Sequence, residues 1–306
     1  MSRIVWLCIL LLNFALGKVF AVASNNSQEI NLQLKNLEQL SNGRLGVYAL
    51  NTGNNKSINY RGNERFPFCS TGKVMTVAAI LDKSQQESGI LKFNIKYRQS
   101  DIDKSGYAPI TSKYLQSGMT IADLSKTTLQ YSDNTAMNLL VSYLGGPQVV
   151  TRYARSIGDK KFQLNRSEPE LNSATPGDVR DTTTPHAMVD SLSTLVLSNL
   201  LGNQQQLTFQ KWLQGNTTGD NRIRKGVPDG WVVGDKTGTG KYGTTNDAGI
   251  IWPARNCAPI VITVYYTGNE AGAKPNEQII ASATRLVVKH FARSDKCLQK
   301  GLVAKP

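Results

Sequence analysis

Pro259-Ile260-Val261-Ile262-Thr263-Val264-Tyr265-Tyr266 is an unbroken run of β-branched and aromatic residues behind a proline. Its length and composition predict a β-strand. Two shorter runs of the same kind lie upstream, Trp231-Val232-Val233 and Ala248-Gly249-Ile250-Ile251-Trp252. Only turns divide the three, so they are expected to pair as antiparallel neighbours. Downstream, Glu277 to Phe291 carries Ile280, Ala283, Leu286 and Val287 on one helical side. At the other end of the chain, Ile30, Leu34 and Leu37 recur at helical spacing. The runs Leu45 to Leu50 and Ser57 to Tyr60 then flank the turn-rich Asn51-Thr52-Gly53-Asn54-Asn55 and read as a hairpin. Between these ends, a helix is predicted from Ser70 onward on Val74, Val77, Ala78 and Leu81, and helical segments alternate with polar loops from Ile121 to Leu201.

Strands at both ends with helices between them predict an α/β architecture of the α+β type. An antiparallel sheet of about five strands is assembled from distant halves of the chain and packed with helices, next to a mainly helical subdomain, with the site between the two. No internal repeat or low-complexity linker interrupts the pattern. A single domain is expected over 24–306, its sheet part at 24–66 and 222–306 and its helical part at 67–221.

The first residues, Met1-Ser2-Arg3, precede an apolar run from Ile4 to Leu12 and then Phe14-Ala15-Leu16, with Ala21-Val22-Ala23 before polar Ser24. This order reads as a secretory signal peptide over 1–23, too short in its apolar run to span a membrane, and implies export to the bacterial periplasm. Cleavage removes Cys8 and leaves Cys69, Cys257 and Cys297, so at least one thiol is unpaired; Cys257 with Cys297 is one possible bridge that spacing alone does not establish. Cys69 reads as a small buried residue. The formal net charge of +13 comes from scattered Lys and Arg with no long basic run, which argues against nucleic acid as a partner. With His186 and His290 the only histidines, a three-His zinc site is excluded, and His186 after Pro185 reads as a helix-start residue. An activated serine in this chain is therefore expected to use a base other than histidine.

Four segments carry chemistry. Ser70-Thr71-Gly72-Lys73 places a hydroxyl and an amine on one helical face, close enough to exchange a proton. Ser132-Asp133-Asn134 stands at a helix entrance, where the same residues would also serve as a cap. Lys236-Thr237-Gly238-Thr239-Gly240 follows the strand from Trp231 to Asp235, where a lysine is suited to a carboxylate and small residues leave room along a strand edge. The irregular stretch from Asn165 to Asp178, with two prolines and a glycine, contains Glu168-Pro169-Glu170-Leu171-Asn172; its length marks a functional loop.

These motifs, in this order and on these elements, make the chain resemble the class A serine β-lactamases over nearly the whole mature length. The resemblance implies Ser70 as nucleophile, Lys73 or Glu168 as the base for acylation, Ser132 as a proton relay and Glu168 as the base that activates water against the acyl-enzyme. It implies that Lys236, Thr237 and Thr239 bind the substrate carboxylate, with Asn134 on the side-chain amide, Asn172 helping to hold the water and Tyr107 at the cleft rim. The backbone N–H groups of Ser70 and Thr239 would form an oxyanion hole. Arg166 and Asp181 match the ion pair that closes the loop neck, and the bond before Pro169 is permitted to be cis. The implied substrate is a small-molecule β-lactam, handled by a monomer without metal or organic cofactor. Gly243-Thr244-Thr245-Asn246-Asp247 lacks the arginine that many penicillinases place there, and Arg222 is the expected substitute. Gly240 stands where carbapenemases of this class carry a cysteine, so Cys69 lacks that partner and an extended-spectrum cephalosporinase is the nearer likeness. A D-alanyl-D-alanine peptidase or a non-hydrolytic β-lactam sensor would share the acylating residues but not a placed Glu168.

Overall fold

The computed structural model describes residues 28–302; the leader expected at 1–23 lies outside the described residues. Helix α1 (28–41) sets Ile30 and Leu34 against the sheet. Strands β1 (Gly43–Asn51) and β2 (Lys56–Tyr60) form the expected hairpin, in register from Val47↔Tyr60 to Asn51↔Lys56. After the two-residue strand β3 (Phe66–Pro67), a 3-10 turn, Cys69–Gly72, runs directly into α2 (Lys73–Gln86). The helical layer continues through β4 (Asn94–Ile95), α3 (Gln99–Ser105), β5 (Met119–Thr120), α4 (Ile121–Gln130), α5 (Asn134–Leu144) and α6 (Pro147–Ser156). It ends with β6 (Thr182–Thr183), α7 (Pro185–Leu197), α8 (Asn203–Gln214) and the short α9 (Ile223–Gly226). The chain then returns to the sheet with β7 (Val232–Thr239), β8 (Thr245–Trp252) and β9 (Ile260–Gly268), and closes with α10 (Glu277–Ala292) and α11 (Lys296–Leu302).

The sheet order is β2-β1-β9-β8-β7, antiparallel throughout. The run that opened the sequence reading is thus its central strand, hydrogen-bonded to β1 from the chain's start and β8 from its end. Period-two alternation divides its side chains: Val261 and Tyr265 enter a core shared with the helical layer, while Ile260, Ile262, Val264 and Tyr266 enter a second core under α1 and α10. Both faces are covered, which is why the strand reads as continuous apolar sequence. Helix α2 is buried from Lys73 to Leu81 and forms the axis of the first core.

Local signals explain where the helices start. The side chains of Thr120, Asp133, Thr184 and Asn276 accept N–H groups of the first turns of α4, α5, α7 and α10. Pro185 occupies the first turn of α7, and His186 follows it, as expected from sequence. Two features differ from the sequence reading or complete it. Strand β7 does not stop at Asp235 but continues through Lys236-Thr237-Gly238-Thr239, paired from Lys236↔Ala248 to Thr239↔Thr245; the ladder with β8 imposes strand geometry on residues of weak strand propensity. Cys257 and Cys297 form a disulfide that ties the loop after β8 to α11.

Candidate active site

The site lies where the start of α2, the entrance of α5, the edge strand β7 and the 165–181 loop converge. Cys69 adopts a left-handed backbone (φ 50°) immediately before Ser70, an uncommon conformation for a non-glycine residue. Its thiol is free and buried, and burial first, then the charge of Glu168, pushes its pKa up, so it stays protonated. The edge of β7 packs on this turn at Gly238, where a Cβ would come within 2.6 Å of the Phe68 carbonyl and 3.2 Å of the Ser70 nitrogen. Only glycine lets the strand approach the Ser70 amide so closely.

Lys73, one turn on, is 1% exposed, and its Nζ donates to the Ser132 carbonyl at 2.7 Å and to Asn134 Oδ1 at 2.7 Å. It lies 3.0 Å from Glu168 Oε1 and 3.3 Å from Ser132 Oγ. Three of these four neighbours are pure acceptors, which matches the three N–H groups of an ammonium. Ser132 also has a left-handed backbone (φ 56°), while Asp133 turns inward to cap α5 and accept from Thr111 and the Ile110 amide. The Asn134 amide donates to the Tyr107 carbonyl at 2.8 Å and so fixes the rim, where the Tyr107 ring is half exposed.

Glu168 is wholly buried. Ser70 Oγ donates to its Oε1 at 3.4 Å, and Asn172 Nδ2 donates to its Oε2. The Glu168-Pro169 bond is cis. Asn172 Oδ1 is buried without a partner beside this carboxylate. At the loop neck, Arg166 Nε meets Asp181 Oδ2 at 2.5 Å, and Asp181 Oδ1 accepts the amides of Asn165 and Arg166 at 2.7 and 3.1 Å. Asp181 is fully buried.

On the opposite wall, Thr237 Oγ1 pairs with Thr218 Oγ1 at 2.5 Å. The Arg222 guanidinium donates to Thr239 Oγ1 at 2.7 Å, to the Gly238 and Asn246 carbonyls at 2.9 and 2.7 Å, and to Glu277 at 3.1 Å. Arg222 therefore braces the end of β7 while it also lines the cleft. Lys236 is sealed beneath, its Nζ on the Thr237 carbonyl at 2.9 Å. From there it would act on an anion in the cleft only through its field. Burial, and then repulsion from Lys73, hold its pKa well below the ordinary lysine value. Two carboxyl groups lie behind it: burial and then Asp235 raise Asp247 well above the ordinary range, and burial raises Asp235, which also meets Arg224 at 2.7 Å.

The cleft is a cavity of about 260 Å³ lined by Ser70, Tyr107, Ser132, Asn134, Asn172, Thr218, Arg222, Thr237 and Thr239. A second cavity of about 590 Å³, between Pro169 and Lys241, shares Asn172 and Thr239 with it and continues the cleft outward. Together they present a serine hydroxyl against a carboxylate, an ammonium between two hydroxyl-bearing segments, and a polar wall with cationic backing: the parts needed for acyl transfer to serine. Among the described residues, no group of three or more His, Cys, Asp and Glu side chains is placed to hold a metal ion.

Every site residue expected from sequence lies in the cleft or in its immediate support. Two contributors were not foreseen. Asn138 holds the Glu168 main chain, donating to its carbonyl at 3.0 Å and accepting its amide at 2.9 Å. Thr218 completes the hydroxyl pair with Thr237. The signal for Asn138 was its position one turn after Asn134 on the same helix face; Thr218, in a polar loop, gave none.

A family model described as "Beta-lactamase enzyme family" matches residues 29–291. A β-lactamase of Proteus vulgaris is 52% identical over 272 residues, 89% of this chain and 99% of the relative. The β-lactamase OXY-2 of Klebsiella oxytoca is 51% identical over 262 residues, covering 86% of this chain and 89% of that one. A crystal structure of a β-lactamase from Desulfarculus baarsii superposes with a TM-score of 0.85 at 43% identity, over 87% of this chain and 98% of the other. With the motifs in one cleft and these likenesses spanning nearly all of the described chain, the protein belongs to the β-lactamase enzyme family and is a hydrolase acting on β-lactams.

Proposed function

We propose that the chain opens the amide of penicillins and cephalosporins by the class A serine mechanism, in two half-reactions. In the first, Ser70 Oγ attacks the lactam carbonyl and gives its proton to Glu168 Oε1, towards which its hydroxyl already points at 3.4 Å. Glu168 is preferred over Lys73 as this base because the Lys73 N–H groups are spent on Ser132, Asn134 and Glu168, which leaves no lone pair facing Ser70. The Ser70 and Thr239 amides stabilise the oxyanion. As the C–N bond breaks, Ser132 Oγ protonates the leaving nitrogen and is resupplied by Lys73, 3.3 Å away. Thr237, Thr239, Arg222 and the buried charge of Lys236 receive the substrate carboxylate, and Asn134 its side-chain amide.

Before the second half-reaction Glu168 passes the Ser70 proton to Lys73, 3.0 Å away, which restores both the carboxylate and the ammonium. A water between Glu168 and Asn172 then loses a proton to Glu168 and attacks the ester carbon, and that proton returns to Ser70 Oγ as the product acid leaves. One observation carries this reading: Glu168 is buried against Ser70 with Asn172 on its other oxygen, and Asn172 Oδ1 is left without a partner on the same side. A buried acceptor without a partner costs about 1–3 kcal/mol, which a bound water would recover. The reading places the enzyme in the periplasm as a monomer; among the described residues no helix is long and apolar enough to cross a membrane.

The test pairs hydrolysis of a chromogenic cephalosporin by the purified protein with intact-mass analysis of Glu168→Gln and Glu168→Ala. Fast turnover by the parent and a covalent adduct on Ser70 that persists in the Ala variant are expected. A folded parent that acylates but does not turn over would instead identify a peptidase-like or sensor protein.

A further inference from the structure

A cavity of about 480 Å³ lies away from the cleft, between the outer side of the 165–181 loop and the edge formed by β3 and the end of β9. Most charges on its wall are neutralised. Arg44 meets Glu64 at 3.1 Å and covers the Phe66 ring at 4.0 Å, and Asp178 is held by Arg180 at 2.9 Å and Arg166 at 3.5 Å. Arg65 is different. Its Nη1 donates to the Lys161 carbonyl at 2.8 Å and Thr182 Oγ1 at 3.0 Å, and among the described residues no carboxylate lies within ion-pair distance of it. Burial, and then the nearby Arg155, work against its charge more than Asp159 favours it, so an incoming anion would add a favourable charge beside it. The remaining wall is apolar on the loop side, at Ala174, Pro176 and Val179, the last a large aliphatic residue that is nonetheless 58% exposed.

We propose that this cavity is a second binding site that takes an amphipathic monocarboxylate, its anionic end on Arg65 and its apolar body against Ala174, Pro176 and Val179. One free cation beside one apolar wall selects a single negative charge on a compact hydrophobic body over phosphate or a polyanion. A bound ligand spans from the loop to β9 at Thr267, so it braces the segment 174–179 from behind while Glu168 faces the cleft from the same loop.

The experiment uses the whole enzyme and 2-naphthoate as probe, followed by amide chemical-shift titration and hydrogen exchange. A ligand of this size is expected to bind with a Kd on the order of 1 mM. The largest shifts are expected at Arg65, 174–179 and Thr267, with exchange of the 174–179 amides slowed at saturation. Arg65→Gln weakens binding about tenfold through loss of the charged donor. Because Arg65 also holds Thr182 and that variant could unfold, Val179→Asp serves as the second: it sets a carboxylate on the open lip, in place of a side chain that is already mostly exposed, and weakens the probe about fivefold or more. Shifts confined to the cleft around Ser70 and Thr237, or unchanged affinity in a folded Val179→Asp variant, overturn the site. Unaltered exchange across 174–179 at saturation overturns the bracing.

Discussion

Asn138 grips both main-chain groups of Glu168, its Oδ1 accepting the amide at 2.9 Å and its Nδ2 donating to the carbonyl at 3.0 Å. A side chain on the rigid helix α5 thereby fixes the height of an acid carried by an irregular loop. Asn138→Ala strands two buried polar groups, at about 1–3 kcal/mol each, and frees the carboxylate to drift. We expect a lower melting temperature and deacylation slowed by about a hundredfold, since a shift near 1 Å suffices for a loss of that order. A stopped-flow burst followed by a slow steady state would reveal the accumulated acyl-enzyme; loss of acylation with no burst would show that Asn138 acts elsewhere.

Asn138 also marks where sequence stops being informative. Helix α2 was legible because Val74, Val77, Ala78 and Leu81 define one face, and β9 because a strand covered on both sides has no polar alternation. Ser70, Lys73, Ser132 and Lys236 could be placed because each stands at a helix start, a helix entrance or a strand end. Asn138 offers only its place one turn after Asn134, and its partner lies 30 residues away. The final four residues of β7 were missed for a related reason: Lys, Thr and Gly favour a strand here only because β8 pairs with them. Arg222 was found at the right place, but its four-way attachment to Thr239, Gly238, Asn246 and Glu277 depends on geometry that no spacing encodes. The same holds for Cys257 and Cys297, whose Cα atoms lie 5.8 Å apart.

The depressed pKa of Lys236 gives substrate binding a pH limit. Burial and Lys73 disfavour its ammonium, while Asp235 and Asp247 favour it less strongly. As pH rises through the lowered value, the cation is discharged and the substrate carboxylate loses its attraction, so KM climbs well before the ordinary lysine value of 10.5. Initial rates between about pH 6 and 10 should show KM rising on the alkaline side with kcat changing less. Lys236→Arg, which stays charged throughout, should flatten that rise. A KM independent of pH in the parent would mean that the buried charge does not steer the carboxylate.

Gly240 sits against both Cys69, the neighbour of Ser70, and the loop that carries Glu168. A Cβ there would lie 2.6 Å from Cys69 Sγ and 2.7 Å from the Asn172 carbonyl. Gly240→Ala must push both away, at about 1–3 kcal/mol, and displacement of Asn172 disturbs the partner of Glu168. We expect a lower melting temperature together with a reduced kcat. Removing the sulfur with Cys69→Ala in the same chain relieves one contact and not the other, so stability should recover only in part. Full recovery would place the whole conflict at the thiol.

The disulfide offers a case in which stability and catalysis separate. It joins residues 40 apart in sequence, and closing a loop of that size restricts the unfolded chain by about 4 kcal/mol. It lies behind the sheet, fastening α11 and its buried Leu298 to the loop that contains Arg255 and Asn256, and it contributes no residue to the cleft. Cys297→Ser should therefore lower the urea midpoint by an amount equivalent to about 4 kcal/mol and leave kcat at 25 °C near the parent value, as long as the protein remains folded. Native-state alkylation of the reduced parent should label Cys297, which is exposed, and spare Cys69, whose buried thiol is held protonated. A variant that loses kcat without losing stability would show that α11 is coupled to the cleft.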